Sequence, residues 1–202
     1  MKKDITGIIL CGGKSSRMLT NKALLKLKDK TVIEIVLSEM NKVFSEVILS
    51  ANEFNDFSFL NIPIVEDSFV YRGPLAGIYS ALKESKTKKN FITTCDLPLI
   101  NHKMIEHISK IESDKEIVIP VINGSPQKLF GLYNKSLIQK IEEIFSLSEI
   151  DKSIKGSIYE LHEISSVELI EIEQLPFYYK KMFTNMNAPE DYISIKNIFG
   201  KN

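Results

Sequence analysis

The stretch Ile8–Leu25, IILCGGKSSRMLTNKALL, sets the expectations for the rest of the chain. It starts as an apolar run that ends at Leu10 and turns through Cys11-Gly12-Gly13. After the turn come the polar and cationic residues Lys14, Ser15, Ser16, Arg17 and Lys22. Paired glycines let backbone N–H groups approach a ligand, because no Cβ stands in the way. The pattern predicts an anion-binding turn after a buried strand, although the spacing also fits a structural turn with surface cations.

Two common phosphate-binding motifs are absent from this turn. A P-loop requires a glycine, four residues and then Gly-Lys-Ser/Thr, whereas a dinucleotide fingerprint requires G-x-G-x-x-G. The sequence instead offers Gly12-Gly13 followed by Arg17 and Lys22. Such a loop can surround a polyphosphate with donors and positive charge.

The composition is that of an ordinary globular chain. Of 202 residues, 44% are hydrophobic and 26% are charged, so we expect one domain over residues 1–202. Lys+Arg and Asp+Glu both number 26, which removes the electrostatic argument for a nucleic-acid or membrane partner. The apolar run Ile8–Leu10 is too short to be a signal peptide or a membrane span.

The cysteines and histidines do not form a metal-binding pattern. Cys11 and Cys95 lack CxxC spacing, so we expect free thiols that pack as small residues, and a reducing, cytoplasmic setting. His102, His107 and His162 are scattered, and we expect all three at the surface or in helix caps.

Short apolar runs alternate with helical patterns along the chain. The expected strands are Ile5–Leu10, Val47–Ser50, Ile62–Glu66, Phe91–Cys95, Glu116–Val121, Leu129–Tyr133 and Val167–Ile172. The expected helices are residues 31–43, which open on the capping box Thr31–Glu34, then Leu75–Leu82, one after Asn101, one over Leu137–Phe145 and one from Pro189 to Ile198. Residues Ser146–Gly156 are undecided.

This alternation predicts an α/β fold with a mostly parallel central sheet and helices on both faces, a three-layer α/β/α arrangement. Ligands of such sheets bind at the carboxyl ends of strands, where the strand order reverses. The unusual residues lie at predicted strand ends: Leu10 to Gly13, Ser50 to Asn52, Glu66-Asp67 and Cys95-Asp96. We therefore expect one site at that edge.

The motif LCGGKSSRM with Lys22 resembles the L-x-G-G-x-x-x-R-M…K signature of nucleotidyltransferases with a Rossmann-like α/β fold. Within them the chain resembles the molybdenum cofactor guanylyltransferase (MobA) family. The similarity continues in Ser50-Ala51-Asn52, Glu66-Asp67, Gly73-Pro74-Leu75-Ala76-Gly77, Cys95-Asp96-Leu97-Pro98, Pro126 to Leu132 and Asn185-Met186-Asn187-Ala188-Pro189-Glu190-Asp191. These blocks span nearly the whole chain in order.

The resemblance implies a role for particular residues. In the N-terminal, GTP-binding half, the nucleotide is expected to contact Leu10, Cys11, Gly12, Gly13, Lys22, Ser50, Asp67 and Asp96. Arg17 and Lys22 would neutralise phosphate charge, and Asp96 would hold Mg²⁺ as the metal ligand and act with them as the catalytic set. In the C-terminal half, on the pterin side, Asn185 and Asn187 would bind the acceptor, although amides there can also cap the last helix.

The reaction implied is transfer of GMP from GTP to the terminal phosphate of a molybdopterin-type cofactor, with cofactor-synthesis or molybdoenzyme chaperone proteins as partners. Three departures from the family pattern stand out: Leu19 replaces a glycine, Asn21 an acidic residue and Ser50 an asparagine. Ser50 leaves base selectivity open, so a cytidylyl-pterin enzyme, a sugar-nucleotide enzyme and a non-catalytic nucleotide-binding protein remain alternatives.

Overall fold

A computed structural model describes residues 1–12, 21–69 and 73–200 of the chain. Its strands are β1 (Ile5–Leu10), β2 (Lys26–Leu27), β3 (Lys30–Thr31), β4 (Val47–Ser50), β5 (Ile64–Val65), β6 (Lys89–Thr94), β7 (Ile117–Ile122), β8 (Ser125–Pro126), β9 (Gly131–Asn134) and β10 (Val167–Glu171). Its helices are α1 (Val32–Asn41), α2 (Phe54–Phe57), α3 (Pro74–Glu84), α4 (His102–Ser109), α5 (Leu137–Ile150), α6 (Ile158–Ile164) and α7 (Pro189–Gly200). Short 3-10 helices cover Lys22–Leu24 and Ser58–Leu60.

The main sheet runs in the order β10-β7-β9-β6-β1-β4-β5, with β8 paired to β7. The pairs of β1 with β4 and β6, of β4 with β5 and of β7 with β10 are parallel. Strand β9 is antiparallel to both of its neighbours, and β8 is antiparallel to β7. The prediction of a mostly parallel sheet is therefore confirmed, with β8 and β9 as the reversed strands of the described part.

Alternate residues of β1 serve the cores on the two faces of the sheet. Ile9 belongs to a buried cluster with Val36 of α1 and Ile105 of α4. Ile8 belongs to a second cluster that includes Ile78 of α3 and Ile141 of α5. Because a strand's side chains point alternately to opposite faces, this division confirms the three-layer arrangement.

Helix α1 begins where its capping box predicts. Thr31 Oγ1 accepts a hydrogen bond from the Glu34 N–H, and Glu34 Oε2 accepts one from the Thr31 N–H at 2.7 Å. The apolar positions Val36 and Met40 are fully buried. Local capping and the buried apolar stripe thus fix the helix that connects β1 to β4.

The C-terminal half departs from the sequence prediction in three places. Helix α5 continues to Ile150, into the stretch that its polar residues left undecided. Helix α6 was not predicted, although Ser157 and Glu160 form its capping box. The expectation of a surface His162 is wrong: this residue of α6 is half-buried, and its Nε2 lies 2.9 Å from the Tyr133 hydroxyl.

The strand order places the switch point beside β1. From β1 the chain proceeds to β4 and β5 on one side and returns to β6 on the other. The Cys95 N–H donates to the Leu10 carbonyl at 3.0 Å, and the Cys11 N–H donates to the Ser50 carbonyl at 2.8 Å. The carboxyl ends of three neighbouring strands therefore lie side by side, which is where ligands bind in open α/β sheets.

Candidate active site

The centre of the site is an ion pair between Lys22 and Asp96. Lys22 Nζ lies 2.6 Å from Asp96 Oδ2, and the two side chains retain 21% and 14% of their exposure. Lys22 also donates to Asn187 Oδ1 at 2.9 Å. These three residues, which the sequence predicted for one site, are brought into direct contact across separations of 74 and 165 positions.

Lys22 is held by its own short helix. The side chain of Asn21 caps that helix by accepting from the Ala23 N–H at 3.2 Å, and Ala23 is fully buried. The other amide atom of Asn21 donates to Asp56 at 3.3 Å. Burial of Ala23 and the Asn21 cap thus direct the Lys22 ammonium toward the end of β6.

Asp96 is fixed by the last residue of β6 and by the C-terminal segment. Thr94 Oγ1 donates to Asp96 Oδ1 at 2.5 Å, while the Asp96 carbonyl accepts from the Met186 N–H at 2.9 Å. Met186 is fully buried in the small core that includes Ile195 of α7. The motif Asn185-Met186-Asn187 is therefore anchored at the site by its apolar residue, and its amides flank that anchor.

The side-chain oxygen of Asn187 accepts a hydrogen bond from Lys22 and does not cap α7. The carboxylate of Asp191 instead accepts from the backbone N–H groups of Asn187 at 3.0 Å and Ala188 at 2.8 Å. A carboxylate in the first turn also favours the positive end of the helix dipole. This cap leaves the Asn187 amide available to the site.

A second group of polar residues lies at the ends of β4 and β5. Ser50 Oγ donates to Asp67 Oδ1 at 3.3 Å, and Asn52 Nδ2 donates to Asp67 Oδ2 at 3.1 Å. The Asp67 N–H in turn donates to Asn52 Oδ1 at 2.9 Å. Burial raises the pKa of the Asp67 carboxyl above its ordinary value, and the hydrogen bonds from Asn52 and Ser50 oppose this rise.

Gly77 of α3 allows this group to pack against β1. A Cβ at Gly77 would lie 2.6 Å from Ser50 Oγ, 3.3 Å from Asp67 Oδ1 and 3.4 Å from Leu10 Cδ2. A Cβ at Gly12 would lie 4.0 Å from Asp67 Oδ2, which places Gly12 beside the same carboxylate. Four residues that were predicted to face the nucleotide thus lie together in one group: Leu10, Gly12, Ser50 and Asp67.

Cys11 and Cys95 are free, buried thiols, as the sequence predicted. They follow the paired residues Leu10 and Thr94 on adjacent parallel strands. A hydrogen bond with Cys95, together with burial, raises the pKa of the Cys11 thiol far above its ordinary value. A neutral thiol of this kind is a packing residue rather than a nucleophile.

A cavity of about 640 Å³ opens from Asp96 toward the C-terminal half. Its wall includes Thr94, Asn185 and Asn187 from the site, together with Gly73 and Pro74 at the start of α3. Residues 125–130 and 155–159 supply much of the remaining wall. Asn185, predicted on the pterin side, therefore faces this cavity.

Part of the predicted site lies outside the described residues: Gly13, Arg17 and the unusual Leu19. The sequence prediction missed Thr94, which holds the Asp96 carboxylate, and it gave no role to Asn52, which holds the Asp67 carboxylate. Asn52 stands in the quoted block Ser50-Ala51-Asn52, so its position carried a signal. The position of Thr94 carried no signal in the sequence, because its hydrogen bond to Asp96 depends on the direction of the side chain at the end of the strand.

The described ranges contain no cluster of His, Cys, Asp and Glu residues that could enclose a metal ion. Over the same residues, no helix is long and apolar enough to cross a membrane.

Lys22 and Asp96 form an ion pair at the switch point of a mostly parallel sheet, the edge at which open α/β sheets bind their ligands. Residues 7–164 match the family described as the MobA-like NTP transferase domain, and the chain belongs to that family.

Curated relatives match over almost their whole length. A protein of Carboxydothermus hydrogenoformans named "Probable molybdenum cofactor guanylyltransferase" is 35% identical over 199 residues, 98% of each chain. A protein of the same name from Natranaerobius thermophilus is 34% identical and covers 100% of this chain and 99% of its own.

Solved structures share the fold. Molybdopterin-guanine dinucleotide biosynthesis protein A of Archaeoglobus fulgidus superposes with a TM-score of 0.79 at 21% identity, over 98% of this chain and 100% of that one. A protein of Aquifex aeolicus VF5 superposes with a TM-score of 0.74 at 31% identity, over 92% of this chain and 94% of its own.

Proposed function

We propose that this protein transfers GMP from GTP to the terminal phosphate of a molybdopterin-type cofactor and releases pyrophosphate. The single observation that carries the proposal is the contact of Lys22 with both Asp96 and Asn187, two residues of the cavity wall. It joins a cation, a carboxylate and an acceptor-side amide at one point. The full-length relatives that are named guanylyltransferases support the choice of reaction.

In this reaction a phosphate oxygen of the acceptor attacks the α-phosphorus of GTP. A new P–O bond forms, the bond to the β-phosphate oxygen breaks, and the electron pair leaves with pyrophosphate. No protein nucleophile is required, so catalysis consists of positioning and of stabilising negative charge. The chain's own residues supply both.

Of the two cations predicted to neutralise phosphate charge, Lys22 is the one that lies within the described residues. Its ammonium is held by Asp96 and Asn187, so it is pre-oriented at the point where the two substrates meet. A lysine with three N–H donors can contact a phosphate oxygen while it keeps a protein partner. We assign Lys22 to the phosphates of GTP, and we propose that Arg17 and Gly13, which lie outside the described residues, complete that phosphate site.

Asp96 fits a role as the protein ligand of Mg²⁺. Its carboxylate is partly exposed, it faces the cavity, and each of its oxygens already contacts a polar group. One carboxylate with substrate phosphates is a common donor set for Mg²⁺, which keeps several of its waters. When bound, the ion would neutralise phosphate charge. Thr94 fixes the orientation of the carboxylate for this task.

The group at the ends of β1, β4 and β5 is the proposed nucleotide side. The turn from Leu10 through Cys11 to Gly12 would contact the nucleotide through its backbone, and Ser50 and Asp67 would face its base or ribose. The shared hydrogen bond of Ser50 and Asp67 makes them a unit. A change at either residue should therefore alter nucleotide selectivity.

The cavity is the proposed acceptor side, with Asn185 and Asn187 in its wall. This division assigns GTP to the N-terminal half and the pterin to the C-terminal half of one domain over residues 1–202. The free, buried thiols are consistent with a cytoplasmic setting, where cofactor-synthesis or molybdoenzyme chaperone proteins would supply and receive the pterin.

A thermal-shift panel of GTP, CTP and ATP with Mg²⁺ tests the choice of base. A ligand at one hundred times its Kd stabilises the folded state by about 2.7 kcal/mol, or roughly 5–10 °C in Tm for a chain of this size. We expect this shift with GTP only. A larger shift with CTP would replace the guanylyl assignment by a cytidylyl one.

Pyrophosphate release tests catalysis separately from binding. We expect Lys22→Met to lower turnover at least ~100-fold, because one preorganised charge contributes about 2.7–4 kcal/mol to a transition state. The matched control is Lys30→Met, which removes an exposed lysine outside the site and should leave turnover unchanged. A wild-type protein that binds GTP but releases no pyrophosphate with the pterin present would favour a non-catalytic role.

A further inference from the structure

The part of the cavity wall that is remote in sequence from Lys22 and Asp96 carries its own positive charge. Lys128 and Lys155 both line the cavity, as does Tyr159 at the start of α6. The reaction described above uses neither lysine. The position of Lys128 is the better defined of the two, because both its side chain and its backbone have partners.

The ammonium of Lys128 lies over the ring of Tyr159, with Nζ 4.8 Å from the ring centroid. This cation–π contact holds the charge at the wall without neutralising it. Among the residues that the structure describes, Lys128 has no carboxylate within ion-pair distance. An anion in the cavity can therefore pair with it.

A buried hydrogen-bond chain supports the backbone at Lys128. The hydroxyl of the fully buried Tyr133 donates to the Lys128 carbonyl and lies 2.9 Å from His162 Nε2. Since the hydroxyl proton points to the carbonyl, the Nε2–H of His162 donates to the hydroxyl oxygen. Burial and the charge of Lys128 lower the pKa of His162 to about 4. His162 is therefore neutral near pH 7 and adds no second positive charge behind Lys128.

We propose that Lys128, held over Tyr159, binds a second anionic group of the acceptor, one that does not react. This inference rests on the proposed function. A molybdenum-bearing pterin carries, besides the phosphate that reacts, a dithiolate-bound oxo-metal centre with negative charge. Asn185 and Asn187 serve the reacting phosphate of the acceptor, and Lys128 serves its metal-bearing end, so that the acceptor is bound at two points of one cavity.

The test compares Lys128→Met, which keeps the length of the side chain and removes its charge, with Lys103→Met on the exposed side of α4. We expect Lys128→Met to raise the acceptor KM about tenfold, the typical effect of removing one charged hydrogen bond. The KM for GTP and the Tm should stay at wild-type values. Lys103→Met should change none of these quantities.

Two further measurements separate a binding role from a structural one. Lys128→Arg keeps the charge and should restore the acceptor KM to within about threefold of wild type. The wild-type acceptor KM should also rise more steeply with ionic strength than that of Lys128→Met, because salt screens a charge–charge contact. Metal-free pterin should show a smaller loss on Lys128→Met than the metal-bearing form.

The outcomes distinguish this inference from the proposed function. If the wild type makes the dinucleotide and Lys128→Met has an unchanged acceptor KM, the inference is wrong and the proposed function stands. If Lys128→Met affects both pterin forms equally, the anion is not the metal-bearing end. A wild type that neither binds nor converts the pterin overturns both.

Discussion

The substitution Gly77→Ala tests the packing of the nucleotide side most sharply. Gly77 lies inside α3, where alanine alone would stabilise the helix by about 1 kcal/mol. The new Cβ would, however, stand 2.6 Å from Ser50 Oγ, which is shorter than any ordinary contact. Ser50 is buried, so its hydroxyl must rotate away and give up its hydrogen bond to Asp67.

The expected change in the free energy of unfolding is the balance of two losses and the gain in helix stability. Overpacking a buried site costs about 1–3 kcal/mol, and loss of a hydrogen bond to a carboxylate costs about 1.5 kcal/mol or more. Against the helix gain, we expect a net loss of about 2 kcal/mol in the free energy of unfolding, measured by urea denaturation. Removal of a buried hydrogen-bond donor also raises the pKa of Asp67 further.

A double mutant isolates the contact. In Ser50→Ala/Gly77→Ala the clashing oxygen is gone, and the next atoms are 3.3 and 3.4 Å from the new Cβ. The double mutant should therefore be more stable than Gly77→Ala alone, with a coupling free energy of about 1 kcal/mol or more. A Gly77→Ala protein at least as stable as wild type, or strictly additive effects, would refute this reasoning.

Three further predictions concern separate parts of the molecule. In the folded chain the pKa of His162 is about 4, so between pH 6.5 and 4 the unfolded chain binds a proton at this residue that the folded chain does not. The free energy of unfolding therefore falls as the pH falls. His162→Gln should reduce this loss by about 2 kcal/mol, measured by urea titrations at pH 6.5 and pH 4. Thr31→Ala removes half of the α1 capping box and should lower the free energy of unfolding by about 1 kcal/mol; an unchanged denaturation midpoint would contradict the cap. Asn187→Ala should lower turnover about tenfold while the Tm changes little, because Asp191 still caps α7 through backbone N–H groups; equal losses of Tm and activity would mean that Asn187 is structural.

Local patterns in the sequence were sufficient to predict most elements of the fold. The capping box of Thr31 and Glu34, the Asn101 cap of α4 and the apolar run of β1 each act within a few residues, and all three were found as predicted. The direction of β9 was not predictable, because an apolar run does not reveal which way its strand runs. Helix α6 is short, so its periodicity was hidden although its capping box was present.

Site residues that directly follow a strand end could be predicted from the sequence. Site residues whose contacts depend on the direction of their side chains could not. Lys22, Asp96 and Asn187 were assigned to one site, but their mutual hydrogen bonds emerged only from the fold. Lys128 lies in the quoted block Pro126 to Leu132 but was given no role, because one lysine in a loop is usually solvated and its cavity is formed by elements far apart in sequence. His162 was assigned to the surface since its partner, Tyr133, belongs to another strand.

Transfer of label from α-phosphate-labelled GTP to the pterin acceptor tests the central claim most directly. The wild type should yield a labelled dinucleotide and one pyrophosphate per turnover, whereas Asp96→Asn, which keeps the shape of the side chain and removes its charge, should yield neither. The control Asp114→Asn alters an exposed carboxylate, 89% of whose side chain is accessible, and should match the wild type. Labelled dinucleotide formed by Asp96→Asn at the wild-type rate would contradict the account.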